Sequence, residues 1–247
     1  MEFSLNSYRD ILKTGLEEGL KFLDFSEARA YKGGRSCILR HDIDIDMEAA
    51  HRMARIEADL GVFSTYFLML RSPVYNLFGR ANFRYAQSIL DMGHHLGLHY
   101  DEGFTPEKDY DLNEWVEKEA RVLSDLLKKE IAVVSFHQPG QRVLQNEIKL
   151  LNFLNTYDKE DMSGITYYSD SNMQFRVDPF TLMKDSSIQK LQILIHPVWW
   201  MGEGASLDTE QLWDRALKAN FYRTQEQILA TERAFGPARR IHLEKES

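Results

Sequence analysis

Four of the eight histidines in this 247-residue sequence stand where an apolar run stops. His41 follows SCILR, His99 follows HHLGL, His137 follows VVSF and His196 follows QILI. One strand-end histidine is an ordinary hydrogen-bonded group. Four, accompanied by Asp42, Asp44 and Asp101, point to a shared polar site. Imidazole and carboxylate together are the donor set expected for Zn²⁺ and similar ions. In the stretch LRHDIDID, strand alternation puts Arg40, Asp42 and Asp44 on one face and His41 and Ile43 on the other. Two carboxylates on one face repel unless a cation or a proton sits between them. One aspartate can then ligate a metal while its neighbour serves as a base, and Asp46 is placed to cap the next helix.

These residues need strands that bring their ends together. SCILRHDID, VFSTYFLML, HHLGLHY, IAVVSFHQPG and LQILIHPVWW read as buried strands. Helical spacing is expected over 5–24, in MEAAHRMARIEADLG, FRYAQSILDMG and NEWVEKEARVLSDLLKKE, and over 208–235. Residues 141–190 are harder to read, with a helical run near EIKLLNFLN and short strands at ITYYSD and FTLMK. Strands alternating with helices imply parallel βαβ units. Strands apolar on both faces fit an α/β fold in which helices cover one side and a barrel interior fills the other. The expectation is a distorted or incomplete TIM-like (β/α) barrel forming one domain over 1–247. A doubly wound open sheet is the second choice, since no Gly-rich phosphate loop follows any strand. In such folds the C-terminal ends of the strands share the active-site face.

Composition narrows the partners. A net charge of −8 without a Lys/Arg block argues against nucleic acid and anionic membranes. The single cysteine, Cys37, lies in an apolar run and reads as a buried structural thiol. No basic segment precedes an apolar one at the N-terminus, and no apolar stretch approaches the roughly 20 residues that span a bilayer. A cytoplasmic protein without stable membrane insertion is expected.

The motifs LRHDID, GHHLGLHYD, SFHQPG and LIHP, in this order between about residues 36 and 200, resemble the polysaccharide deacetylase (NodB-homology) superfamily, the carbohydrate esterases of family four. The resemblance implies a distorted (β/α) barrel, a divalent metal held by one aspartate and two histidines, an aspartate base and a histidine acid, together removing acetyl groups from sugars. By position it makes Asp42 the base, Asp44 the metal-binding aspartate, His99 the first metal histidine and His196 the acid. The second histidine of the family's H-x-x-x-H pair would fall at Gly103. His137, which stands where the third motif has an arginine, is the first choice for the missing ligand. Asp101, His94 and His95 follow, although His94 and His95 open their strand and should lie at the wrong end of the barrel.

Around this set, Arg40 is a partner for Asp42 or for an anionic substrate group. Tyr100, Ser169, Asp170 and Trp199 are candidate substrate contacts; the YYSD run at 167–170 could instead orient His196, and Trp199 could simply pack. The polar loop around Tyr75, Asn76 and Arg80 is a candidate cleft lining. The function expected is a metal-dependent removal of an acetyl group, N-acetyl first, with zinc the first choice of metal. The substrate expected is a nucleotide- or lipid-linked sugar intermediate of surface polysaccharide synthesis. The alternative is a non-catalytic carbohydrate-binding or scaffolding relative.

Overall fold

Every strand pairing within the sheet is parallel. The computed structural model describes residues 2–104, 111–202 and 207–232. Its strands are β1 (Lys21–Phe22), β2 (Ser36–Ile43), β3 (Thr65–Leu68), β4 (His95–Asp101), β5 (Val133–His137), β6 (Leu154–Asn155), β7 (Thr166–Ser169) and β8 (Lys190–Ile195). They run in the order β6-β5-β4-β3-β2-β8-β7, with β1 added beside β2. Among the described residues β6 and β7 do not pair, so the curled sheet is an incomplete α/β barrel.

The helices are α1 (Leu5–Glu17), α2 (Phe25–Ala30), α3 (Met47–Asp59), α4 (Arg80–Asp91), α5 (Leu112–Leu127), α6 (Gln141–Leu144), α7 (Pro179–Lys184) and α8 (Thr209–Thr231). Alternation along the strands sorts the core. Cys37, Leu39, Ile193 and Ile195 face outward into one apolar cluster that includes Tyr8, Leu12 and Trp200. Tyr66, Leu68, Leu98, Tyr100 and Phe136 enter another with Ala50, Ile89 and Leu123 of the covering helices. Ile38 and Phe67, on the inner face, pack with Leu23, Phe25 and Ala28 of the β1–α2 segment. The inner wall is tight at Gly97, where a Cβ would stand 2.5 Å from the Phe67 ring and 3.0 Å from the Val133 carbonyl oxygen. Asp46 caps α3 as expected, its carboxylate accepting from the Glu48 N–H at 2.9 Å.

Several element boundaries differ from the sequence reading. The helix expected over 5–24 stops at Glu17, because Gly19 takes a left-handed φ of +75° and the chain turns into β1. FTLMK is not a strand but part of α7, capped by Asp178 with Pro179 in its first turn. EIKLLNFLN holds no helix, and its end supplies β6. LQILIHPVWW leaves the sheet at Ile195, since Pro197 has no N–H for the ladder, and PVWW coils into a 3₁₀ turn. Residues 233–235 of the expected last helix lie outside the described residues. None of the described helices is long and apolar enough to cross a membrane.

Candidate metal and catalytic centre

Strand β2 delivers its charged residues inward, as its alternation requires. Asp42 is buried and held by a two-pronged ion pair: Arg40 Nε donates to Oδ1 at 2.9 Å and Nη2 to Oδ2 at 2.6 Å. Burial alone would raise the Asp42 carboxyl, but the Arg40 guanidinium and the neighbouring His99 outweigh it and hold the group below its ordinary range. Arg40 is itself wholly buried, stacked over the rings of Phe67 and Tyr157 at 5.4 and 5.1 Å. Of the two roles expected of it, it therefore takes that of partner to Asp42, and the expectation of a substrate contact is corrected. His41 points to the other face and meets Glu57 at 2.7 Å.

Asp44 sits one pleat further along, where two imidazoles converge on it. His99 Nε2 lies 3.1 Å and His137 Nδ1 3.2 Å from the same oxygen, Oδ1. One donor atom from each of the three residues falls within 4.8 Å of the others. Two imidazole nitrogens and a carboxylate oxygen aimed at one point are a donor set that suits zinc-type ions, so the residues present fit a metal. Burial opposes the Asp44 charge, but hydrogen bonds from His137 and His99 hold its carboxyl far below the usual range. His137 is raised in turn, first by its bond to Asp44. Of the other candidates for the third position, Asp101 turns back to accept from the Gly103 N–H at 2.8 Å. His94 contacts the Ala54 carbonyl at 2.9 Å and His95 lies 3.5 Å from Asp24, both away from the cluster. Gly103 follows β4 in a 3₁₀ turn, where its position is exposed.

His196, the residue just after strand β8, stands on the opposite side of Asp44, its Nε2 3.9 Å from Asp44 Oδ2. Asp170, fully buried, fixes this ring: Nδ1 donates to its Oδ1 at 2.6 Å, and the His196 backbone N–H reaches both carboxylate oxygens at 3.0 Å. The Trp200 indole N–H donates to the same carboxylate at 2.9 Å. Burial pulls the His196 imidazole down, yet the Asp170 charge and hydrogen bond prevail and push it up to about 9. Asp170 is thus the group that orients His196, and its place among substrate contacts is corrected.

The cluster opens into a cleft of about 370 Å³. Trp199 and Trp200 both belong to the apolar core, but only Trp199 also lines the cleft, its ring 6.4 Å from that of His196. Tyr100 is on the outward face of β4, wholly buried in the apolar core, and so is not a substrate contact. Ser169 bonds Ser171 Oγ at 2.6 Å, and it is Ser171 that lines the cleft. Of the 75–80 loop, Tyr75 turns inward to donate to the Ile43 carbonyl at 2.9 Å, leaving Pro73 and Val74 at the cleft. Sequence reasoning missed Tyr157, Trp213 and Gln138, which also line it, and took Tyr167 only as part of the YYSD run without separating it from its neighbours. A parity argument on the strand ITYYSD could have found Tyr167, which is in register with Gln192 on the inner face of β8.

The fold and site together define an incomplete parallel barrel with a candidate metal centre at the C-terminal ends of its strands. No family model matches the chain, and no curated protein matches it. Among solved structures, it is similar to a CE4 family pseudoenzyme from Bacillus anthracis at 13% identity and a TM-score of 0.42, over 80% of this chain and 63% of that one. The chain therefore spans less than two thirds of that protein's length. It is also similar to a family 4 acetyl xylan esterase from Clostridium thermocellum, in complex with a cobalt ion, at 10% identity and a TM-score of 0.44, over 78% and 90%. A third, the chitin deacetylase of the fungus Colletotrichum lindemuthianum, gives 13% identity and a TM-score of 0.41, over 74% and 81%.

Proposed function

We propose that this protein is a metal-dependent hydrolase that removes an acetyl group, N-acetyl first, from a sugar. The observation that carries the reading is the placement of Asp42 and His196 around the convergent Asp44, His99 and His137 in one cleft. Asp44, His99 and His137 would hold the ion, with zinc the first choice for two imidazoles and a carboxylate. A bound ion of that kind supplies Lewis acidity to a carbonyl oxygen and acidifies a bound water.

The chain's own residues supply the proton chemistry. Asp42, kept ionised and oriented by Arg40, accepts the proton of the attacking water. His196, kept protonated by Asp170, donates its Nε2 proton to the departing sugar nitrogen as the C–N bond breaks, so that acetate and an amine leave. Trp199 offers an indole face to the sugar ring beside His196. The substrate class extends by the same reading to a nucleotide- or lipid-linked intermediate of surface polysaccharide synthesis, handled in the cytoplasm. The alternative is a carbohydrate-binding protein without catalysis; the approach of His137 to Asp44, which offers a third donor where the family histidine is replaced by Gly103, supports the catalytic reading over it.

The test is acetate release. Zinc-loaded protein incubated with N-acetylated saccharides is expected to liberate acetate stoichiometrically with free amine, and Asp42→Asn to stop it. Binding of the saccharides with no acetate released would favour the non-catalytic reading.

A further inference from the structure

Ser135 has no role in the reading above, yet it sits at its centre. It lies on β5 two residues before His137, so strand alternation turns both side chains inward. The parallel register sets Ser135 directly beside His99 of β4. The side chain is fully buried, and its hydroxyl has two polar neighbours: His99 Nδ1 at 2.6 Å and Asp42 Oδ1 at 3.5 Å, the latter at the long limit of a hydrogen bond.

The direction of these bonds follows from their ends. Both Asp42 oxygens already accept from Arg40, so Asp42 is a carboxylate and can only accept. With the Ser135 proton directed to Asp42, the hydroxyl oxygen is left to accept from His99 when that imidazole carries its proton on Nδ1. Without an ion His99 Nε2 donates to the Asp44 carboxylate; with an ion held there, a neutral His99 that keeps its proton on Nδ1 would turn the Nε2 lone pair toward it. A histidine ligand is oriented in this way by whatever its other nitrogen donates to.

We propose that Ser135 is the positioning residue of the candidate metal centre: its hydroxyl accepts from His99 Nδ1 and donates to Asp42, fixing His99 with Nε2 turned toward Asp44 and His137. The same hydroxyl joins the ligand to the base, so the hydrogen bonds from His99 through Ser135 and those from Arg40 converge on the Asp42 carboxylate. The proposal rests on the metal reading of Asp44, His99 and His137.

The experiment compares zinc affinity, by chelator competition, in the full-length wild type, Ser135→Ala and Ser135→Thr. Ser135→Ala is expected to bind zinc about 10- to 100-fold more weakly, the range for groups that orient a ligand, and Ser135→Thr to restore the affinity. In parallel, ¹⁵N-histidine NMR of the zinc-loaded wild type should show a His99 with its proton on Nδ1. Zinc affinity in Ser135→Ala within threefold of wild type would overturn the proposal. So would a His99 proton on Nε2 in the wild type, an outcome that stands even if the alanine variant fails to fold. A wild type that binds no zinc at all would instead overturn the metal reading itself.

Discussion

Asp170 grips His196 twice, through the ring Nδ1 at 2.6 Å and through the backbone N–H at 3.0 Å. A buried carboxylate that bonds both the ring and the main chain of one histidine sets its position and its charge together. The ring nitrogen left over, Nε2, faces Asp44 across the cleft.

The Asp170→Asn variant should lose that charge. In the metal-free protein the His196 imidazole is expected to titrate near 9 in the wild type, and well below that in Asp170→Asn. The folded value is raised from the ordinary 6.5, so the stabilisation is fully present below 6.5 and is lost as pH rises through about 9. The gap in denaturation midpoint between the two proteins should therefore narrow over that window. Histidine NMR and urea titrations across pH check both statements. In the zinc-loaded enzyme, turnover should fall by about 10²- to 10⁴-fold, the usual contribution of a positioned acid.

Substitutions at the metal cluster should divide cleanly. Asp44→Ala and His137→Ala are expected to lose bound zinc, measured by elemental analysis of dialysed protein. Asp42→Asn should keep it and lose turnover. Asp101→Asn, His94→Gln and His95→Gln should keep it as well, because none of those side chains reaches the cluster. Equal zinc loss in Asp42→Asn and Asp44→Ala would refute the division between base and ligand.

Behind β2, Glu57 is a buried hub that accepts from Tyr8 and Ser64, from Tyr66 at 2.9 Å and from His41 at 2.7 Å. Burial would raise its carboxyl, but His41 leads the groups that bring it below its ordinary value of 4.5. Glu57→Gln leaves His41 without its charge partner and is expected to cost about 3–5 kcal/mol in urea unfolding. The sign with pH is the reverse of the His196 case. The contribution is present above 4.5 and is lost as pH falls through the depressed folded value, so the variant and wild type should converge in acid.

Gly97→Ala tests the tight inner wall. The added methyl would meet the Phe67 ring at 2.5 Å, beneath the layer that carries Arg40. A loss of about 1–3 kcal/mol is expected from overpacking, read from the shift in the denaturation midpoint.

Much of the site was legible because β2 alternates. Arg40, Asp42 and Asp44 share a face for a geometric reason, and His41 is excluded from it by the same reason. His137 was legible as a polar residue ending an apolar strand. Arg40 and Asp170 were placed in the site with two roles open each: which of two polar neighbours a side chain serves depends on burial, and burial is not written in residue order. Tyr157 and Trp213 come from the irregular segment after β6 and from α8, where no periodicity announces an inward face. FTLMK misled because a short apolar run fits strand or helix equally, although the Asp178-Pro179 pair before it is a helix start. Ser135 shares a strand face with His137, but a lone serine between apolar residues draws no attention until its register partner His99 is known.

The most direct test of the central claim is an anomalous-difference map collected at the zinc edge from crystals of the zinc-loaded protein. One peak is predicted within bonding distance of Asp44, His99 and His137, with Asp42 and His196 beside it and unligated. A map with no peak there, or one ligated by Asp42 instead of His137, would contradict the account.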